Sequence, residues 1–460
     1  MRTLVRRRLP RLTIVLLLLA VPAAAHAQRL SIQGDRFAID GSPRFIVFIS
    51  YFAAMNAVNI TADLKYLKSK GFDGVRIWPN LNTGPVQLMQ SDGTLRPDGL
   101  STLKFILDRA RDERLVVDVS FTAEHVPGLD AARFRDGIVA TTGELRDYEN
   151  ILFDIQNETN VYGPFRRPLP ESDVIAIRQG IKSVDAKRIV TSSISSNDTA
   201  AFTGDFAART GIDVAAYHDP RTSQFYVQSW VQSLVDDLKK TGKPAYFQEP
   251  MPTRYVYFPV SYASENYREQ MISAKIAGAA AWCFHTDIQG DNPDQLFQNL
   301  IESEPEPERA FVNSLLPRVN LRTSNGVNFV AAEGGGGGDV SADRISAGPY
   351  ETFTIDVLSG RPLLDGDRVA VQTINEKNLF QAINGGGGPL RAIGEKVGPY
   401  ETFVVERVGG GGAVRDGDAI RLRVADGTWY LSAEGGGGGR AMVNRPTAGA
   451  FETFTVFFAQ

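Results

Sequence analysis

From Leu30 to about Leu316 short apolar runs alternate with amphipathic segments, and the alternation comes round eight times. The apolar runs read as strands: Phe45–Ile49, Gly74–Ile77, Leu115–Val119, Ile151–Ile155, Ile189–Ser192, Val214–Tyr217, Ala245–Gln248 and Ala279–Phe284. They are short and largely apolar, as strands covered on both faces must be. Between them lie helical patterns: a segment capped by Thr61 and closed by Gly71, then Ser101–Glu113, Ser172–Val184, Ala200–Thr210, Gln224–Lys240 and Glu265–Ala277. Strand–helix alternation implies parallel strands, and eight units close a (β/α)8 TIM barrel, an α/β fold. An open doubly wound sheet would want a Gly-rich phosphate turn after its first strand, and none is present. Leu30–Ile39, turning at Gly34-Asp35, reads as a hairpin that plugs the barrel. The acidic run Glu302–Glu308 reads as the first turn of the eighth helix, with acids at the positive end of the dipole and Ala310, Phe311 and Leu315 facing inward.

Past Leu316 the pattern changes to β-rich segments with glycine runs, and three copies of one unit align. Phe329-Val-Ala-Ala-Glu-Gly334 matches Phe380-Gln-Ala-Ile-Asn-Gly385 and Tyr430-Leu-Ser-Ala-Glu-Gly435. Tyr350-Glu-Thr-Phe353 matches Tyr400-Glu-Thr-Phe403 and Phe451-Glu-Thr-Phe454. A repeat of 50 to 51 residues in three copies, each with about four short strands, predicts a C-terminal all-β domain, a β-trefoil of three repeats. Phe353, Phe403 and Phe454 should fill its core. The glycine runs 334–338, 385–388 and 435–439 recur at one place in each unit and should be turns with positive φ.

Residues 1–27 stand outside both domains. Arg6, Arg7, Arg8 and Arg11 precede an apolar run, Leu12 to Val21, and Ala25-His-Ala27 offers a cleavage site. This is the pattern of a secretory signal peptide, so the chain divides as 1–27 signal, 28–316 barrel and 317–460 β-domain, secreted or periplasmic. The formal net charge is −4 and becomes more negative without the signal's arginines. An acidic chain without basic clusters is no nucleic-acid binder. One cysteine, Cys283, excludes an intrachain disulfide and a thiolate zinc cluster. Neither cofactor nor metal is expected, no integral membrane segment follows the signal, and the protein is expected as a monomer.

The strand ends carry the chemistry. Arg76 and Trp78 follow the second strand, Asn157 and Glu158 the fourth, His218 the sixth, Glu249 the seventh, and Trp282 with His285 the eighth. The C-terminal ends of barrel strands are where such folds place their active sites. Two carboxylates there are the minimum equipment for glycoside hydrolysis, one protonated to give a proton to the leaving oxygen and one ionised. An arginine beside the ionised acid would keep it anionic. Asn157 can hydrogen-bond a sugar hydroxyl, and an indole can stack on a sugar's apolar face. Tyr255, Tyr257, Phe258 and Tyr262, in the loop after Glu249, are positioned to line sugar subsites or to pack against neighbouring loops.

Together these residues resemble a clan A glycoside hydrolase of the cellulase-like, family 5 kind, over about Leu30 to Leu316. The motifs are Gly71-Phe-Asp-Gly-Val-Arg76, Gln156-Asn-Glu158, Tyr217-His218, Lys243-Pro244 with Glu249, and Ala281-Trp282. The resemblance implies Glu158 as acid/base and Glu249 as nucleophile, with Arg76, His218 and Trp282 at the family's arginine, histidine and tryptophan positions. Two places depart from the family. Pro220 stands where a tyrosine would bond the nucleophile, and the third strand reads Asp118-Val-Ser-Phe121 in place of an Asp-x-His ending, with His125 displaced into the loop. The C-terminal part, from about Val319, resembles the fascin-like β-trefoil family. The implied function is an exported, retaining hydrolase of β-glycosidic bonds in a poly- or oligosaccharide, with possible glycan contact by the trefoil. The alternative is a non-catalytic carbohydrate-binding or adhesion protein on the same two folds.

Overall fold

Eight parallel strands form the first sheet: β4 (Ile46–Tyr51), β5 (Gly74–Ile77), β6 (Val116–Ser120), β7 (Ile151–Asp154), β8 (Ile189–Thr191), β9 (Ala215–His218), β10 (Ala245–Glu249) and β11 (Ala281–Phe284). They follow a small antiparallel unit, β1 (Leu30–Gln33), β2 (Arg36–Ile39) and β3 (Ser42–Pro43). The computed structural model describes residues 28–162, 168–218, 222–249, 263–285, 293–303 and 306–459. The signal sequence assigned to 1–27, Pro220, and the aromatic loop with Tyr255, Tyr257, Phe258 and Tyr262 lie outside them. No described helix is long and apolar enough to cross a membrane.

The sheet runs β8-β7-β6-β5-β4-β11-β10-β9, and a parallel bridge between Ile194 and Tyr217 joins its two ends into a barrel. Helices cover the outside: α1 (Ile60–Lys70), α2 (Pro97–Asp112), α3 (Ala131–Glu144), α4 (Glu171–Val184), α5 (Ala200–Thr210), α6 (Gln228–Lys239), α7 (Ser264–Ala277), α8 (Phe297–Glu302) and α9 (Glu306–Ser314). Strand alternation sorts the side chains into two layers. Val47, Ile49, Val75, Ile77, Val117, Val119, Phe153 and Trp282 face the helices in the larger core. Ile46, Phe48, Val116, Leu152, Ala216, Tyr246 and Cys283 fill the barrel, with Leu30 and Phe37 of the hairpin packed among them at its bottom.

Three local expectations need correction. The cap of α1 is Asn59, whose side chain accepts from the Ala62 amide, and Thr61 lies inside the helix; Gly71 ends it at φ 99°. Helix α3 had no counterpart in the sequence reading, because Gly137, Thr141, Thr142 and Gly143 are poor helix formers. Close packing explains one of them: a Cβ on Gly137 would stand 2.8 Å from the Gly93 carbonyl and the Met89 sulfur. The acidic run also divides, Glu302 closing α8 and Glu306 opening α9.

The second sheet is an all-β barrel of twelve strands: β12 (Arg318–Thr323), β13 (Phe329–Ala332), β14 (Val340–Arg344), β15 (Phe353–Val357), β16 (Arg368–Gln372), β17 (Leu379–Ala382), β18 (Gly388–Gly394), β19 (Phe403–Arg407), β20 (Ala419–Val424), β21 (Tyr430–Ala433), β22 (Gly439–Arg445) and β23 (Phe454–Ala459). Six of them form an antiparallel ring, β12-β15-β16-β19-β20-β23 and back to β12. Phe353, Phe403 and Phe454 are buried in one apolar core. Each pairs at the same register, with Val319, Val369 and Ile420 respectively. The glycine runs take positive φ except at their last members, Gly338, Gly388 and Gly439, and Asn384 fills the left-handed place of Gly334 and Gly435 in the middle copy.

The two barrels share a buried seam at the N-terminal ends of β4 and β5. The Phe45 amide donates to the Ser359 carbonyl at 2.8 Å, and Gly360 approaches so closely that a Cβ there would meet the Phe45 oxygen at 1.9 Å. Lys275 donates to the Gly360 and Pro362 carbonyls and to Asp367 at 2.6–2.7 Å. Arg361 donates to the Gly71 carbonyl at 2.7 Å. This seam lies at the end of the barrel opposite the strand C-termini.

Candidate active site

Glu249 owes its aim to a bulge. Strands β9 and β10 run in register through Tyr217 and Phe247, which face the helices, and then His218 pairs with Glu249. Gln248 is the extra residue, so Gln248 and Glu249 both project into the barrel mouth, which simple alternation forbids. Arg76 rises beside it from β5. Its Nη1 donates to Glu249 Oε1 at 2.7 Å, Nη2 to Asn157 Oδ1 at 2.6 Å and to Asp154 Oδ2 at 3.3 Å, and Nε to Ser120 Oγ at 2.8 Å. The guanidinium carbon lies 4.4 Å from the Trp78 ring centre, a cation–π contact inside the protein.

The second oxygen of Glu249 faces two histidines. His218 Nδ1 stands 3.3 Å and His285 Nε2 3.6 Å from Oε2, and Ser50 Oγ fixes His285 through Nδ1 at 2.8 Å. Burial works to raise the pKa of Glu249, but His218, His285 and Arg76 outweigh it and hold the carboxyl well below the usual range. These charges favour its ionised form, the form a nucleophile needs.

Glu158 comes from a strained turn. Its φ is 53°, a left-handed conformation that costs a non-glycine residue about 1–3 kcal/mol. Ser193 holds the turn, its hydroxyl accepting from the Glu158 amide at 3.0 Å and its carbonyl from the Thr159 amide at 2.8 Å. The turn brings Glu158 Oε1 to 3.1 Å from His218 Nδ1. One oxygen of Glu158, one of Glu249 and a nitrogen of His218 all fall within 4.8 Å of one another. His218 Nδ1 thus lies between the two carboxyl groups. These three donors could in principle ligate a cation, but the Arg76 charge already occupies the Glu249 oxygen beside it, so repulsion favours proton chemistry.

Arg76, Trp78, Asn157, Glu158, His218 and Glu249 therefore meet at one mouth. Trp78 stacks on Phe52 with ring centres 4.4 Å apart and is 2% exposed, so it builds the wall. Trp282 does not join them. It stands one place off the inward register, on the helix side of β11, wholly buried, with Nε1 donating to Gln270 at 3.1 Å and its ring against Phe311. Its inward neighbours are Cys283 and then His285. Tyr255 and Tyr257 fall outside the described residues. Sequence reasoning gave no role to Ser50, Phe52, Asp154, Ser193 and Gln248, and met Asp118 and Ser120 only as a departure from the family's third-strand ending. The signal for four of them was available: polar residues at alternate places in strands otherwise apolar.

No protein-family model and no curated protein matches this sequence. Solved structures do. A structure titled "Glycoside hydrolase" overlaps 94% of this chain and 96% of its own at 12% identity and a TM-score of 0.49. A β-mannanase from Thermomonospora fusca overlaps 62% and 95% at 14% identity, TM-score 0.43. An exo-β-1,4-mannosidase from an Opitutaceae bacterium overlaps 55% and 54% at 16% identity, TM-score 0.42. At such scores these are likenesses only, and the functional reading rests on the residues.

Proposed function

We propose that this chain is a retaining glycoside hydrolase that cleaves β-glycosidic bonds of a poly- or oligosaccharide by double displacement. The observation that carries the reading is the approach of Glu158 and Glu249 across the mouth, where one oxygen of each lies within 4.8 Å of the other and both face His218 Nδ1, an approach that favours the closer of two spacings. Retaining enzymes keep their carboxyl groups about 5–5.5 Å apart, whereas inverting ones need about 6.5–9.5 Å to admit water. The Glu249 carboxylate attacks the anomeric carbon while Glu158 passes its proton to the departing oxygen. Water then attacks the glycosyl ester, Glu158 takes the water's proton, and Glu249 leaves as a carboxylate. Arg76 and the two histidines receive the charge that returns to it. Asn157, tied to Arg76, meets a sugar hydroxyl in this reading.

The second barrel is a three-repeat, fascin-like β-trefoil, supported by the recurring register of Phe353, Phe403 and Phe454, and it offers glycan contact away from the mouth. The enzyme acts as a monomer without cofactor or metal, secreted or periplasmic once residues 1–27 are removed, with no nucleic-acid partner.

The test separates the two acids. Glu158→Ala should cripple cleavage of natural glycans by about a hundredfold or more, yet spare glycosylation by a dinitrophenyl glycoside, whose leaving group needs no proton. Azide should then speed its second step. Glu249→Ala should be rescued by no leaving group. Exchange of these behaviours reverses the roles; binding of glycans without turnover by the wild type would make it a carbohydrate-binding protein.

A further inference from the structure

Below Glu249 the barrel interior holds two more acids, both fully buried, that the double displacement does not use. Asp118 on β6 lies 3.6 Å and Asp154 on β7 3.3 Å from Arg76. With Glu249 at 2.7 Å, three carboxyl groups share one guanidinium. Among the described residues, Asp118 and Asp154 form ion pairs with Arg76 alone. Of these three acids, His218 and His285 reach only Glu249, so full ionisation would set Asp118 and Asp154 against each other in a dry interior with one shared guanidinium, which costs more than protonating one of them.

A proton has a place to sit. Ser120 Oγ accepts from Arg76 Nε and stands 3.3 Å from both Asp118 Oδ1 and Asp154 Oδ2. If its hydroxyl donates to Asp154, its oxygen is free to accept from a protonated Asp118 Oδ1. The other oxygen of Asp118 accepts from Tyr246 at 3.0 Å and Gln248 at 2.8 Å. Asp154 Oδ1 instead accepts from the Ser193 amide at 2.9 Å, the residue that holds the Glu158 turn.

We propose that Asp118 carries a proton in the working enzyme, hydrogen-bonded through Ser120 to Asp154, and that this protonation leaves the charge of Arg76 available to Glu249. Asp118 touches no substrate atom; it is a positioning residue that acts through Arg76. The groups facing it agree. Burial, opposed by Arg76 and helped by Asp154, lifts Asp118 to about 6. Burial raises Tyr246 on β10 well above its usual value and Cys283 on β11 to about 12, so neither brings a charge. Glu249, backed by His218 and His285, stays ionised. When Asp118 loses its proton, a further anion draws on Arg76, and Glu249 becomes a poorer leaving group in the second step. This consequence rests on the glycosidase reading; the protonation itself does not.

The test therefore has two arms on the full chain. In isotope-edited infrared titration, wild type should show a buried protonated aspartic acid that disappears near pH 6, absent in Asp118→Asn and shifted to lower pH in Asp154→Asn, where the repelling charge is gone. In turnover of a dinitrophenyl glycoside, limited by the second step, kcat should fall at least about threefold above that pH in wild type. In Asp118→Asn this limb should be lost, with KM moving little. No titrating acid, or one that survives in Asp118→Asn, overturns the protonation. An unchanged alkaline limb in Asp118→Asn overturns the positioning role. Failure of any glycoside to turn over sinks the glycosidase reading, and the infrared arm still decides where the proton sits.

Discussion

The two barrels of this chain solve the same packing problem in opposite ways. The second fills its ring with apolar side chains, Phe353, Phe403, Phe454, Val319, Val369 and Ile420 among them. The first fills its lower half likewise but gives its upper half to Arg76, Asp118, Asp154, Gln248 and Glu249, all buried. Burying ions costs several kcal/mol each even when paired, and apolar replacements of such clusters often stabilise a fold. A protein that keeps the cluster keeps it for something other than stability. The strained turn at Glu158 and the bulge at Gln248 point the same way, since both irregularities fall within the mouth.

The predictions sharpen that contrast. The largest effect belongs to Glu249→Ala, which should lower kcat/KM by at least about a thousandfold, on the order of 4 kcal/mol. Its thermal midpoint should fall far less, because Arg76 keeps Asp154, Asp118 and Asn157. Next, Phe403→Ala should cost about 3 kcal/mol in denaturant unfolding and leave kcat/KM of the surviving folded protein unaltered. If activity falls with the fraction folded held constant, the second barrel takes part in the site. Asp367→Ala, at the seam, should cost about 2 kcal/mol by leaving Lys275 buried with carbonyl partners alone. By the same reasoning, removal of the chain from Val319 onward should lower the melting temperature of the first barrel, since Lys275 and Asp73 lose partners across the seam. An unchanged midpoint would show that the domains are merely tethered.

The smallest effect concerns Trp282. Trp282→Phe should cost about 1 kcal/mol of stability and leave KM unaltered, whereas a raised KM would return this indole to the substrate site. The misplacement is instructive. Strands covered on both faces read as apolar runs, so all eight barrel strands were legible from composition, and the acids at two of their ends stood out. Which face a residue takes is another matter. It depends on register, and in β11 the inward set is Ala281 and Cys283, with His285 following past the strand's end, not Trp282. The floor was legible in part: Asp118 with Ser120, and Asp154, interrupt apolar strands at inward places. The bulge at Gln248 and the left-handed turn at Glu158 were not, because they follow from tertiary pairing with β9 and Ser193, far away in sequence. In the second barrel the threefold repetition supplied what single motifs could not, and even the exception, Asn384, is the residue type best able to replace a left-handed glycine.

The central claim is that Glu158 and Glu249 act together in a two-step displacement. Its most direct test is the configuration of the first sugar released, followed by proton NMR within the first minutes of digesting a cleavable glycan or aryl glycoside. The arrangement of the mouth predicts the β-anomer at once, with the α-anomer growing in only by mutarotation; an initial α-anomer would show direct attack by water and would contradict the account.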